Sequence, residues 1–189
     1  MNFYSADGQD KWVLETLKDK KDGFFIEIGT AMPIENNNTF LFEKFYGWKG
    51  LLFEFDPQYE MSIRHIRNSP LITQDATKVD YRKLFEEHNV PKVIDYLSLD
   101  IDPPDNTLKV LKALPLDEYT FSCVTFEHDR YWYGDSVMHE SREIFASYGY
   151  ELKKADVACP HGSYAIVTGK LNRRTNTCHE KVYSSKGKA

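Results

Sequence analysis

The sequence has few cysteines, no long hydrophobic run and no secretion signal. Its three cysteines, Cys123, Cys159 and Cys178, are too few and too scattered for a disulfide framework or a zinc cluster. No apolar run approaches the roughly 20 residues that a bilayer-spanning helix needs. The first seven residues are polar and lack the core of a signal peptide. We therefore expect a cytoplasmic protein with reduced thiols and no membrane partner.

The sequence also lacks an excess of positive charge. Its 24 Lys and Arg residues against 29 Asp and Glu residues give a net charge of -5. Proteins that bind nucleic acid in general need a basic face that neutralises phosphates. The charge balance therefore predicts that nucleic acid is not a partner.

What the sequence has is an alternation of short apolar runs with longer amphipathic stretches. The apolar runs are rich in β-branched and aromatic residues and predict strands at 24–28, 51–55, 71–73, 93–99 and 122–126. The stretches between them predict helices near 9–20, 38–46, 57–67, 80–88, 104–113 and 136–148. Two further strands are expected at 150–157 and 163–168. Apolar strands that are separated by helices indicate a parallel sheet covered on both faces.

A single domain accommodates this pattern. A chain of 189 residues, 41% of them apolar, is long enough to bury a core on its own. We predict an α/β fold over residues 1–170, with a doubly wound, mostly parallel, Rossmann-like sheet of about seven strands. Residues 171–189 are basic and polar without apolar periodicity, and we expect a mobile tail there.

An acidic residue stands at or near the end of each of the first five predicted strands. These acids are Glu27, Glu54, Asp75, Asp100 and Glu127. Ligands of open parallel sheets bind outside the carboxyl ends of the strands, near the point where the strand order reverses. We therefore expect the five acids to form a carboxylate-rich rim over one pocket.

Two of these acids indicate a nucleoside ligand. Glu27 lies inside an apolar strand, where an unpaired carboxylate is costly, so it needs a cationic or hydrogen-bonding partner, for which a ligand amine is one candidate. Glu54 stands where nucleoside-binding folds commonly place an acid that accepts from both ribose hydroxyls. The loop 29–34 contains one glycine and Pro33, which does not fit a dinucleotide fingerprint, and no Walker-type loop is present. The ligand is therefore expected to lack a pyrophosphate.

From residue 23 to about residue 150 the sequence resembles the FkbM-type methyltransferases, a branch of the class I fold that uses S-adenosylmethionine. The matching stretches are DGFFIEIGT, NNTFLFEKFYGWKGLLFEFDP, VIDYLSLDID and VTFEHD, with unchanged spacing between Glu27 and Glu54. The resemblance implies that Asp100, Asp102 and His128 lie beside the transferred methyl group as catalytic residues. It also implies a cofactor site of Glu27 and Gly29 at the methionine half, Glu54 at the ribose, Asp75 and Ala76 at the adenine, and Thr30, Asn38, Thr39 and Phe55 in the loops beside them.

The chain departs from the family pattern at two positions where glycine is usual. These positions hold Pro33 and Pro103, and Pro104 follows the second. Because proline removes an N–H donor and fixes φ, both loops are expected to differ locally from the family. The first departure concerns the methionine-binding loop and the second concerns the substrate side.

The resemblance implies O-methylation of a small-molecule or glycan acceptor, such as a sugar hydroxyl. Methyl transfer from a sulfonium depends mainly on proximity and orientation, and an oxygen acceptor must also lose its proton. His128 has an ordinary pKa that suits a base near neutral pH. Asp100 and Asp102 could instead bind a divalent metal with Glu127 or Asp129, which we do not favour. The aromatic run 131–133 fits either a substrate wall or core packing.

Two other functions stay open at this point. A metal-dependent glycosyltransferase that binds a nucleotide sugar also uses an Asp-x-Asp segment after a strand, but it would leave Glu27, Gly29 and Glu54 without a role. A non-catalytic protein that binds an adenosyl ligand would result if the loops at Pro33 and Pro103 have lost the chemistry.

Overall fold

The computed structural model describes residues 2–159 and 162–168, in which strands and helices alternate. The strands are β1 (Phe24–Ile28), β2 (Lys49–Phe53), β3 (Leu71–Ile72), β4 (Val93–Leu99), β5 (Thr120–Glu127), β6 (Glu151–Cys159) and β7 (Gly162–Thr168). The helices are α1 (Gln9–Thr16), α2 (Phe40–Tyr46), α3 (Pro57–Ile66), α4 (Tyr81–Glu87), α5 (Pro104–Ala113), α6 (Arg130–Tyr133) and α7 (Ser136–Ser147), with a 3₁₀ turn at Ala76–Lys78.

The strands form one sheet in the order β3-β2-β1-β4-β5-β7-β6. The first five pair in parallel, and β7 pairs antiparallel with both β5 and β6. The direction of the strand order reverses between β1 and β4, which lie side by side with Glu27 opposite Ser98. Such a reversal opens a crevice at the carboxyl ends of the two strands, which is where open α/β sheets bind ligands.

Helices cover both faces of the sheet because the side chains of each strand alternate between the faces. On β1, Phe25 belongs to a buried cluster with Val13 of α1 and Ile63 of α3. Ile26 and Ile28 of the same strand belong to a second cluster with residues of α4, α5 and α7. We call the side covered by α1, α2 and α3 the first face, and the side covered by α4, α5 and α7 the second face.

The fold-class prediction is confirmed. Five parallel strands with helices on both sides form the doubly wound core, and the two C-terminal strands extend it as an antiparallel addition. The strand predicted at 51–55 lies at 49–53, because Gly50 packs inside β2 with its Cβ position 2.4 Å from the ring of Phe25. The helix predicted at 9–20 ends at Thr16, and Lys18 and Asp19 adopt positive φ. Helix α6 has no counterpart in the prediction.

The first helix is tied down by one buried acid. Asp10 has no exposed surface, and its carboxylate accepts from the Tyr4 N–H at 2.6 Å and the Ser5 hydroxyl at 2.6 Å. Val13 and Leu14 then pack into the first face. Segment 4–10 is therefore held as a fixed part of the structure near β5.

Within the described ranges, no helix is both long and apolar enough to cross a membrane. The predicted tail at 171–189, with Cys178, lies outside the described residues. Its mobility stays a prediction.

Candidate active site

Glu27 receives its partners from the protein itself. The side chain is 1% exposed, and its Oε2 accepts from Asn37 Nδ2 at 3.1 Å and from the Thr39 hydroxyl at 3.0 Å. Arg67 Nη1 lies 3.6 Å from the same oxygen. Burial raises the pKa of Glu27 above its ordinary value, although the Arg67 charge and these hydrogen bonds oppose the rise. The cationic partner that a buried acid needs is thus Arg67.

Arg67 follows α3 and joins Glu27 to a second acid, Glu43 of α2. Its Nε donates to Glu43, its Nη1 to Asn37 Oδ1 at 3.0 Å and its Nη2 to the Thr39 hydroxyl at 2.8 Å. Burial by itself would raise the pKa of Glu43, but the Arg67 charge and the hydrogen bonds to the carboxylate lower it. Sequence reasoning missed Arg67, and the unpaired acid in β1 was the one signal that such a partner had to exist.

Gly29 brings the loop after β1 against the end of β4. Its φ is +91°, and a Cβ at this position would lie 1.7 Å from the carbonyl oxygen of Asp100. The N–H groups of Gly29 and Thr30 both donate to the carbonyl of Phe53, at 3.0 and 3.1 Å, so the loop is also fixed to β2. Only glycine fits such an approach, which brings the backbone close to whatever binds in the crevice.

Glu54 follows β2 and organises the loops on either side of it. Its Oε2 accepts from the Ala31 N–H at 2.7 Å and its Oε1 from the Asp56 N–H at 2.8 Å. Each carboxylate oxygen has a further lone pair, so Glu54 can still accept from two ligand hydroxyls. Phe55 beside it is 67% exposed and offers an apolar ring at the same edge of the sheet.

Asp75 lies three residues beyond β3 and caps the 3₁₀ turn. Its Oδ1 accepts from the Thr77 N–H at 3.0 Å and the Thr77 hydroxyl at 2.7 Å, and Lys78 Nζ lies 2.9 Å from its Oδ2. The hydrogen bonds from Thr77 and Lys78 lower the pKa of Asp75 to about 2. Ala76 is buried beside it. Asp75 and Glu54 thus follow β3 and β2, the two parallel strands on the side of β1 away from β4.

Asp100 and Glu127 share a hydrogen bond at the ends of β4 and β5. Burial raises the pKa of Glu127 to about 11, helped by the hydrogen bond to Asp100 and by the charges of Asp100, Asp129 and Asp102. Burial also raises the pKa of Asp100. Glu127 is therefore protonated near neutral pH and donates to the Asp100 carboxylate.

A pocket of about 10 Å³ adjoins this pair, which is room for one water-sized group. Asn38, which is 8% exposed, forms one wall. Its Nδ2 donates to the Ser98 hydroxyl at 2.9 Å, whereas its Oδ1 has no hydrogen-bond partner among the described residues. The lining residues are Gln9, Asn38, Leu99, Asp100, Thr125 and Glu127. The five acids therefore do not surround one pocket as the sequence predicted, because only Asp100 and Glu127 line this one.

The other two candidate catalytic residues have different surroundings. Asp102 is exposed and precedes Pro103 and Pro104 at the start of α5. His128 has no exposed surface. Neither residue lines the pocket. A side chain without exposed surface reaches a substrate only after rearrangement, so Asp100 is the best placed of the three.

Metal ligation finds little support in the side chains of the site. No group of three His, Cys, Asp or Glu residues in the part of the chain that the structure describes could hold a metal ion. Asp100 is hydrogen-bonded to Glu127, and Asp102 is exposed. The donor set therefore does not favour the glycosyltransferase alternative.

Three consecutive aromatic side chains on α6 are exposed directly after this site. Tyr131 is 61% exposed, Trp132 76% and Tyr133 56%. Core packing is therefore not their role. Because α6 follows β5, they stand at the carboxyl edge of the sheet, where a substrate wall is expected.

The raised pKa of Glu127 predicts how stability depends on pH. The folded state holds a proton on Glu127 that the unfolded chain releases. The contribution of this proton to the free energy of unfolding is therefore fully present below pH 4.5 and is lost as pH rises toward about 11. Glu127→Gln keeps the donor to Asp100 and removes this titration. The free energy of unfolding of the variant should exceed that of the wild type increasingly from pH 6 to pH 9, by at most about 1.4 kcal/mol per pH unit.

Urea denaturation at several pH values measures the difference, with the exposed Glu143→Gln as control. Parallel curves for Glu127→Gln and wild type would contradict the shared proton.

Comparison with known proteins shows the fold. The sequence matches no protein-family model and no curated protein. Fibrillarin, a pre-rRNA processing protein from Methanococcus jannaschii, superposes with a TM-score of 0.55 at 14% identity over 80% of this chain and 69% of its own. Dnmt2 methyltransferase from S. pombe superposes with a TM-score of 0.58 at 12% identity, over 80% of this chain and 51% of its own. Precorrin-6y C5,15-methyltransferase from Geobacter metallireducens superposes with a TM-score of 0.52 at 15% identity, over 90% of this chain and 95% of its own.

These comparisons correct one prediction from the sequence. A nucleic-acid partner was excluded on net charge, and that exclusion is wrong, because the same fold serves a pre-rRNA processing protein. Net charge sums over the whole surface, whereas a nucleic acid meets one part of it. The fold of this chain is that of class I S-adenosylmethionine-dependent methyltransferases.

Proposed function

We propose that this protein is an S-adenosylmethionine-dependent methyltransferase. The observation that carries the proposal is the reversal of strand order between β1 and β4, where Gly29 passes against the Asp100 carbonyl while Glu54 stands at the end of the neighbouring strand β2. The fold that this chain shares with methyltransferases supports the same function. The cofactor supplies a methyl group activated on a sulfonium, and the protein supplies position.

The residues present fit this cofactor. In the proposal Gly29 and Thr30 lie along its methionine half, Glu54 accepts from the two ribose hydroxyls, and Phe55, Asp75 and Ala76 surround the adenine. Asn38 and Thr39 directly precede α2 and fix the loop between β1 and that helix. Glu27 acts through its contacts with Thr39 and Arg67, which hold that loop in place.

The acceptor in this proposal is a hydroxyl, as the resemblance to FkbM-type enzymes suggests. A sugar hydroxyl presents this chemistry, and so does the ribose of an RNA strand. Acids at the carboxyl edge of β4 and β5 suit it, because carboxylates accept hydrogen bonds from hydroxyls. Exposed aromatic rings on α6 suit either a sugar ring or a base.

Binding of S-adenosylhomocysteine tests the proposal. Calorimetric titration should show saturable binding, and Glu54→Ala should weaken it at least tenfold, because a lost hydrogen bond to a charged group costs about 1.5–3 kcal/mol. Glu60→Ala, an exposed acid on the neighbouring helix α3, should leave the affinity unchanged. Binding that is unaffected by Glu54→Ala would contradict the ribose role.

The two alternatives predict other outcomes in the same assay. A glycosyltransferase would bind a nucleotide sugar with manganese and not the adenosyl ligand. A binding protein would hold S-adenosylmethionine without transferring its methyl group to sugar or RNA acceptors. Absence of any adenosyl binding would rule out the proposed function.

A further inference from the structure

The pocket beside Asp100 and Glu127 presents hydrogen-bond acceptors that the protein leaves unused. Asn38 is fixed through its Nδ2 to Ser98, so its Oδ1 cannot turn away, and no described residue donates to this oxygen. The one acidic hydrogen of the pair lies between Asp100 and Glu127. A buried amide oxygen without a partner is costly, so a ligand that donates a hydrogen bond here is favoured.

The same pocket also offers donors. Gln9 is 8% exposed and lines the wall contributed by α1. Its Oε1 accepts from the Asp7 N–H at 3.0 Å, so the Nε2 group is the end of this amide that is left to donate to a ligand. A hydroxyl both donates and accepts, whereas an ammonium group only donates. A volume of about 10 Å³ admits one such head group and no more.

We propose that this pocket seats the acceptor hydroxyl, whose single hydrogen is shared between Asp100 and Asn38 Oδ1 while its oxygen faces the side-chain amide of Gln9. Asp100 is the general base, and Glu127 is a positioning residue that holds the Asp100 carboxylate toward the hydroxyl. This inference rests on the proposed methyltransferase function. It gives Asn38 a contact with the acceptor in addition to its proposed place in the cofactor loop.

The reaction balances with these groups. The hydroxyl oxygen forms a bond to the methyl carbon while the carbon–sulfur bond breaks, and that electron pair stays on sulfur. The hydroxyl proton passes to the Asp100 carboxylate and leaves to solvent after the product. The Glu127 proton stays in its hydrogen bond throughout, so no further acid is required.

Two probes of equal size distinguish a hydroxyl pocket from a cation pocket. Methanol and methylammonium are each titrated into protein with ¹⁵N-labelled asparagine, in the presence and absence of S-adenosylhomocysteine, and the side-chain amide signals of Asn38 are followed by NMR. We expect a saturable shift with methanol and a weaker or absent response to methylammonium. Tighter binding of methylammonium, or no saturable shift with methanol in either sample, would overturn the proposal.

Variants separate positioning from general stability. Glu127→Gln preserves the donor to Asp100 and should keep the methanol affinity within about threefold, whereas Glu127→Ala should weaken it about tenfold, the equivalent of one hydrogen bond. Asp105→Asn, an exposed acid on α5, is the matched control. Equal effects of the Gln and Ala variants would contradict the role of Glu127.

The same samples separate the two hypotheses. Calorimetric binding of S-adenosylhomocysteine without a methanol response leaves the methyltransferase function standing and removes the pocket. A methanol response without adenosyl binding removes the methyltransferase function and leaves a hydroxyl-binding pocket.

Discussion

Replacing Arg67 with methionine is expected to lower the free energy of unfolding by about 3–5 kcal/mol, because it leaves two acids without their buried cation. Glu27 is 1% exposed and the Glu43 side chain 6%, and the guanidinium contacts both. Methionine fills a similar volume, so the loss comes mainly from charge and hydrogen bonds. Urea denaturation at neutral pH measures the change.

The matched control is on α3, the helix that Arg67 directly follows. Arg64 of α3 pairs with Glu60 at 2.8 Å, but both side chains are largely in solvent, 50% and 41% exposed. Exposed pairs of this kind contribute about 0–1 kcal/mol, so Arg64→Met should change stability little. If the two variants lost similar amounts of unfolding free energy, burial would not make the contacts of Arg67 more stabilising than the exposed pair of Arg64.

Replacing Gly29 with alanine is expected to abolish binding of S-adenosylhomocysteine and to destabilise the fold by more than 2 kcal/mol. The new Cβ would collide with the Asp100 carbonyl at 1.7 Å, so β1 and β4 would have to separate at the crevice. Overpacking of this kind costs about 1–3 kcal/mol, and the positive φ adds about 1 kcal/mol. Calorimetry and denaturation measure the two effects.

Gly8→Ala isolates the contribution of backbone strain. Gly8 has φ +78°, close to that of Gly29, but its Cβ position has no atom within 4 Å. This variant should lose only about 1 kcal/mol and keep its ligand affinity. If Gly29→Ala behaved in the same way, the close approach of the two strands would not matter for the site.

The elements that the sequence predicted best are those with a regular apolar pattern. The bounds of β1 at 24–28, β4 at 93–99 and α5 at 104–113 agree with the prediction, because an apolar strand buried on both faces or an amphipathic helix leaves a clear pattern. The β2 bounds shifted because Gly50 lies within a strand, where a glycine is usually a boundary signal. A glycine that packs under an aromatic ring cannot be told from a turn by sequence alone.

The sequence identified most of the acids of the site, but it did not show how they are arranged or paired. Strand alternation places Glu27, Asp100 and Glu127 on the first face, with Phe25, Tyr96 and Cys123. That rule could have joined Asp100 to Glu127, because their strands are neighbours in the sheet. It could not supply Arg67, which lies 40 residues from Glu27 in sequence and belongs to no motif. Roles of the individual acids toward a cofactor stay predictions.

The anchored first helix also bears on selectivity for the acceptor. Gln9 supplies a wall of the proposed acceptor pocket, yet it precedes β1, and its neighbour Asp10 is hydrogen-bonded to residues 4 and 5. The residues that we propose for the ribose and the adenine all come from segments after β1. In this proposal one wall of the pocket comes from a short segment near the start of the chain. We therefore expect that exchanging segment 4–16 alters the preference for the acceptor and leaves binding of the adenosyl ligand intact.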